Sequence, residues 1–97
     1  MTKDEILKSL SDVKPYLQEK YGVQKIGLFG SYARNEATAQ SDIDIYVELK
    51  ENTFRKLAGL WVYLDQLYNG IKVDVYNKHR HTKGAIAKYI QEETIYI

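Results

Sequence analysis

No cysteine occurs among the 97 residues, so disulfides, thiolate nucleophiles and cysteine-ligated zinc are all excluded. Proline occurs once, at position 15, and no internal repeat, low-complexity tract or Pro/Gly/Ser linker interrupts the chain. Residues 1–97 therefore read as a single domain. Charge of one sign is also missing: 14 Lys and Arg against 13 Asp and Glu leave a formal net charge of +1. Such a balance gives no electrostatic footprint for nucleic acid or for a membrane surface. The longest apolar run, Leu57 to Leu64, falls far short of a membrane span, and the opening MTKDEILKSL has no signal-like apolar segment. The expectation is a soluble, cytoplasmic protein. The length allows a real hydrophobic core but not a catalytic unit plus a dedicated substrate domain, so a large substrate must bring its own structure.

What is present is a regular alternation of helical and extended patterns. Thr2 and Glu5 fit a capping box, and Ile6, Leu10, Val13 and Leu17 recur at helical spacing up to Tyr21-Gly22. Pro15 is expected to kink this helix, unless Ser11 or Asp12 restarts it and leaves the proline in a first turn. Val23 to Phe29 reads as a buried strand ended by Gly30, and Ser31 to Glu36 as a short helix stopped by Asn35. Asp42 to Glu48 alternates strictly, with Ile43, Ile45 and Val47 on one face and the acids on the other. Asn52 or Thr53 caps a helix with a wide apolar face, ended by Asn69-Gly70. Residues 71–76 alternate again, with Lys72, Asp74 and Tyr76 on the polar face, and a last helix covers roughly Thr82 to Glu93. The expected class is α/β (α+β), a small mixed sheet flanked by helices in the order α-β-α-β-α-β-α.

The chemistry concentrates on these strands. Residues two apart in a strand point the same way, with Cα atoms roughly 6.6–6.8 Å apart, so the carboxylates of Asp42 and Asp44 can converge. If the third strand pairs beside the second, Asp74 joins them. Three crowded carboxylates repel unless a cation sits among them, and an oxygen-only donor set favours Mg²⁺ or Mn²⁺ over zinc. Gly30-Ser31, at a strand-to-helix turn, offers backbone N–H groups and a hydroxyl to an anion such as a triphosphate. Each feature alone has an ordinary structural explanation: a chance Asp-x-Asp, a common turn, a solvated strand acid. Their coincidence on polar strand faces and at one turn is far more specific.

The pattern Gly30-Ser31, ten residues, Asp42-Ile43-Asp44, then Asp74 within KVDVY, resembles the minimal nucleotidyltransferases (MNT) of the DNA polymerase beta-like superfamily. YGVQKIGLFGSYARNEA and SDIDIYVEL are similar to that family throughout, whereas the segment after Tyr76 matches loosely. Asn35 stands where many relatives carry glycine, which preserves a left-handed turn. The resemblance implies a mixed-sheet nucleotidyltransferase fold, ATP as donor and two Mg²⁺ ions. It implies that Asp42 and Asp44 hold both ions, that Asp74 completes the site of the ion serving the acceptor, and that Gly30 and Ser31 bind the β- and γ-phosphates. Arg34 either contacts phosphate or is an exposed charge.

Small members of this family resemble the antitoxins of HEPN–MNT toxin–antitoxin pairs, which implies transfer of AMP to a tyrosine of a HEPN ribonuclease. Two alternatives stand beside it: a non-catalytic antitoxin that neutralises by binding, and an adenylyltransferase acting on a small molecule or an RNA end. Leu7, Tyr16, Tyr63 and the tail Thr94-Ile95-Tyr96-Ile97 can offer a partner surface or simply pack on the core. Lys78, His79, Arg80, His81 and Lys83 form a basic segment, read as a solvated loop or a contact for triphosphate or an acidic partner. Neither a GxxxxGK[ST] loop nor a GxGxxG turn is present.

Overall fold

A computed structural model describes residues 1–79 and 84–97. Helix α1 (Lys3–Tyr21) opens on the expected capping box. The Thr2 backbone N–H donates to Glu5 Oε1 at 2.8 Å and the Glu5 N–H donates to Thr2 Oγ1 at 3.2 Å, satisfying two otherwise orphaned donors. Gly22 closes the helix at φ 70°. Pro15 lies inside this one helix, which does not restart at Ser11 or Asp12. Pro15 and Ser11 both lie on the exposed face, where water can serve the Ser11 carbonyl, while Ile6, Leu10 and Leu17 hold the helix to the core on the other.

The remaining elements are β1 (Val23–Phe29), β2 (Ile43–Leu49), α2 (Phe54–Leu67), β3 (Val73–Tyr76), α3 (Gly84–Glu93) and β4 (Ile95–Tyr96). They form a four-stranded mixed sheet in the order β3-β2-β1-β4. β1 is antiparallel to β2 and to β4, and β3 runs parallel to β2. A parallel pair needs a crossover, and α2 provides it. The side chains of Ile26, Leu28, Ile43, Ile45, Val47, Val73 and Val75 join those of α1 and α2 in the main core. On the opposite sheet face, Ile90 of α3 packs on Phe29 and Tyr46, with Tyr76 and Ile86 at the margin. Among the described residues, no helix is long and apolar enough to cross a membrane.

One further expectation needs correction. Ser31 to Glu36 is not a helix but a set of turns, held by Arg34 N–H to Gly30 O (3.1 Å), Glu36 N–H to Ser31 O (2.9 Å) and Asn35 N–H to Tyr32 O (3.3 Å). Asn35 adopts φ 59° and stops the winding before a second turn can form. The tail takes the packed arrangement of its expected readings: β4 pairs with β1, and the Ile97 N–H donates to Ile26 O at 3.1 Å, while Tyr96 stays 48% exposed. Gly27 makes this approach possible, since a Cβ there would stand 2.8 Å from the Ile95 carbonyl oxygen.

Candidate active site

The antiparallel turn-back from β1 to β2 explains the spacing of the motif. Phe29 pairs with Asp44, so the chain leaves the sheet at Gly30 and returns beside its point of departure at Asp42. Gly30-Ser31 and the two acids therefore share one end of the sheet despite the ten residues between them. In the parallel register of β2 and β3, Asp44 lies directly opposite Asp74. Asp42, just before β2, is more exposed, with 37% of its side chain accessible against 20% for Asp74.

Gly30 has φ +80°, and a Cβ on it would overlap the Asp44 carboxylate. The glycine thus does two things: it makes the left-handed turn and it leaves the space that the carboxylate fills. Burial, then Asp74, then Asp42 push the Asp44 carboxyl up to about 6, against a smaller opposing pull from Arg34. Lys72 Nζ lies 3.9 Å from Asp42 Oδ2 and 3.9 Å from Asp74 Oδ1, a loose and exposed counter-charge.

Gly30 and Asp44 border an open cleft of about 520 Å³, whose lining also includes Ser31, Arg34, Tyr76, Ile86 and Tyr89 but neither Asp42 nor Asp74. Arg34 is at the cleft but engaged: Nε donates to Glu36 Oε1 at 2.6 Å and an Nη donates to Glu93 Oε2 at 2.8 Å. Among the described residues, no group of three or more Asp, Glu, His or Cys is compact enough to make a metal cage by itself. The donor set nonetheless suits a hard divalent ion that keeps waters and completes its shell with substrate phosphate. Asp44 and Asp74 are oxygen donors side by side, and the Asp44 carboxyl is raised first by burial and then by the charges of Asp74 and Asp42, both of which a bound cation would offset.

Other candidate residues sit elsewhere. His79 borders a separate hollow with Asn52, Thr53, Phe54 and Asn77. Its N–H donates to Asn77 Oδ1 at 2.9 Å. Arg80, His81 and Lys83 lie outside the described residues. Tyr16 stacks in a cluster with Tyr63 (5.3 Å between centroids) and Tyr21 (6.4 Å), while Leu7 and Tyr63 pack against the main core. The sequence did not single out Ile86, Tyr89 or Glu93 for the cleft. Their spacing along one helix face was readable, but which sheet face α3 covers was not.

The family model described as a nucleotidyltransferase domain matches residues 10–97, which include every residue of this cleft. The chain belongs to that family. As a nucleotidyltransferase domain it is an enzyme of the nucleotidyltransferase type. It is 40% identical to protein adenylyltransferase MntA of Thermococcus cleftensis, over all of this chain and 97% of the relative. It is 46% identical to MJ0128 of Methanocaldococcus jannaschii, provisionally named a protein adenylyltransferase, over 99% of this chain and 98% of that one. Among solved structures, a provisionally named minimal nucleotidyltransferase superposes with a TM-score of 0.76 at 28% identity, covering 98% of this chain and 95% of the other. A toxin–antitoxin crystal structure with AMP-PNP shares the fold, with a TM-score of 0.65 at 24% identity over 99% of this chain and 72% of that one.

Proposed function

We propose that this nucleotidyltransferase domain is an ATP- and Mg²⁺-dependent protein adenylyltransferase that modifies a tyrosine hydroxyl of a HEPN-type toxin partner, and so acts as an antitoxin. The observation that carries the reading is the meeting of Asp44, Asp74 and the Gly30-Ser31 turn at one end of the sheet. The adenylyltransferase name of a 40% identical relative supports AMP as the transferred group. The toxin–antitoxin structures that share the fold support a toxin as partner, and the AMP-PNP in one of them supports a nucleoside triphosphate as donor.

In this reading the backbone N–H groups after Gly30 and the Ser31 hydroxyl hold the β- and γ-phosphates. Asp42 and Asp44 would hold two Mg²⁺ ions, and Asp74 would complete the ligands of the ion that serves the acceptor. When bound, the ions lower the pKa of the acceptor hydroxyl and offset charge on the triphosphate. The acceptor hydroxyl releases its proton to solvent as its oxygen attacks the α-phosphorus in line, the bond to the β-phosphate oxygen breaks, and pyrophosphate leaves with the displaced electron pair. Arg34, held by Glu36 and Glu93, contributes positive charge at the cleft wall.

The test is the intact mass of the HEPN-type partner after incubation with the protein, ATP and Mg²⁺. The expected result is a gain of whole AMP units that an Asp42→Asn/Asp44→Asn double variant does not give. A stable complex without mass gain would replace the enzyme with a binding antitoxin. Neither gain nor complex would remove the toxin as partner and move the search to small-molecule or RNA acceptors.

A further inference from the structure

The cleft has two unlike halves. The half made by Gly30, Ser31 and Asp44 is polar and suits phosphate with its metal, whereas α3 contributes Ile86 and an aromatic ring, Tyr89, along with Glu93, whose charge is engaged by Arg34. Helix α3 is fixed at two points. Ile90, 7% exposed, is packed on Phe29 and Tyr46, and Glu93 is tied to Arg34 by the 2.8 Å ion pair. Tyr89 stands one residue before Ile90, so its backbone position is set by that packing. Its side chain is nevertheless 46% exposed. Phe29 and Tyr76 also line the cleft, and they meet edge to face with centroids 5.2 Å apart, Phe29 buried and Tyr76 partly so. Tyr89 is the most exposed of the three rings that line the cleft.

We propose that Tyr89 is the platform on which the nucleobase of the donor stacks, with Ile86 packing beside it. The proposal rests on the nucleotidyltransferase reading above and adds a base subsite to it. The phosphate half and the ring are both walls of one cleft, whose volume lies within the range of small-molecule sites. A nucleotide with its phosphates at Gly30-Ser31 extends its base toward the α3 wall. Every base has a π face, so such a platform grips the ring and depends little on its pattern of hydrogen-bonding groups. The tyrosine hydroxyl has no part in that contact.

The experiment is equilibrium binding of ATP and, separately, of inorganic tripolyphosphate, each with Mg²⁺, to the wild-type protein, Tyr89→Ala and Tyr89→Phe. Tyr89→Ala is expected to weaken ATP about tenfold, the scale of one lost stacked base, and to leave tripolyphosphate unchanged. Tyr89→Phe should bind both as the wild type does. Equal ATP affinity in Tyr89→Ala and wild type would overturn the platform while leaving the nucleotide reading in place. A parallel loss of ATP and tripolyphosphate in Tyr89→Ala would also overturn it, because the side chain would then support the phosphate half. An AMP adduct mapped to Tyr89 would make this residue an acceptor and overturn it too. Failure of the wild type to bind either ligand would bring down the nucleotide reading, and the platform with it.

Discussion

Replacing Gly30 with alanine isolates what the turn glycine does for the acids. Two costs are expected. A left-handed backbone at φ +80° costs a residue with a Cβ about 1–2 kcal/mol. The added methyl would also overlap the Asp44 carboxylate and stand 3.2 Å from its Cγ and 3.3 Å from its Cβ. Overpacking of this kind costs about 1–3 kcal/mol if the carboxylate stays, and displaces it if the side chain rotates away. Gly22→Ala is the matched control: its φ is +70°, but its Cβ would meet nothing closer than Lys50 Cβ at 3.6 Å, an ordinary contact. Gly22→Ala should therefore lose only the backbone cost, about 4–16 °C in Tm for a domain of this size. Gly30→Ala should lose that and more, or else keep a similar Tm with Asp44 moved aside. In either case nucleotidyl transfer by Gly30→Ala should fall about a hundredfold below that of Gly22→Ala, the scale of a displaced reacting group. Thermal melts and initial rates on the two variants decide the matter. Equal activity in both would refute the claim that the glycine makes room for Asp44.

Asp44→Asn should stabilise the metal-free protein at pH 7.5 while abolishing activity. The Asp44 carboxyl is raised from 3.8 to about 6, so its contribution to stability is fully present below pH 3.8 and is lost as the pH rises through about 6. At about 1.4 kcal/mol per pH unit the full shift would be worth about 3 kcal/mol, which screening at this half-exposed group cuts to about 1 kcal/mol. A melt series from pH 4 to 8 should show that slope in the wild type and not in the variant. Thr2→Ala removes the hydroxyl that accepts from the Glu5 N–H, while the backbone N–H at position 2 can still donate to Glu5, and should cost about 1 kcal/mol in a denaturant titration. Gly27→Val would drive a side chain into Thr94 and the Ile95 carbonyl, so β4 should detach and the Ile97 amide should lose its protection from hydrogen exchange.

The elements that position the candidate site were legible because they obey short-range rules. Strict alternation from Asp42 to Glu48 placed the acids on one face of β2, and Gly30 after an apolar run placed the turn at the end of β1. What sequence could not supply was long-range. Two residues of β4 are too few to show a period, and their pairing depends on a missing Cβ at Gly27 seen from the other strand. The six residues from Ser31 carry helical composition, yet Asn35 ends them after one turn. Arg34 was recognisable as a charge near the site, but its two carboxylate partners lie 2 and 59 residues away, and only the second reveals that α3 closes the cleft. Asp74 needed the register of a parallel pair, which periodicity never specifies.

That parallel pair also dictates when the site comes into being. β1 and β2 can meet as an antiparallel unit and bring Gly30, Asp42 and Asp44 together early, through a loop that closes locally. Asp74 arrives only after the chain has run through the whole of α2 and docked β3 on the far edge of β2. A partly folded chain therefore holds two of the three acids and no complete site. The three acids of the candidate site thus wait on the docking of β3, and the cleft beside them waits longer still, for α3 to be made and to cover the sheet.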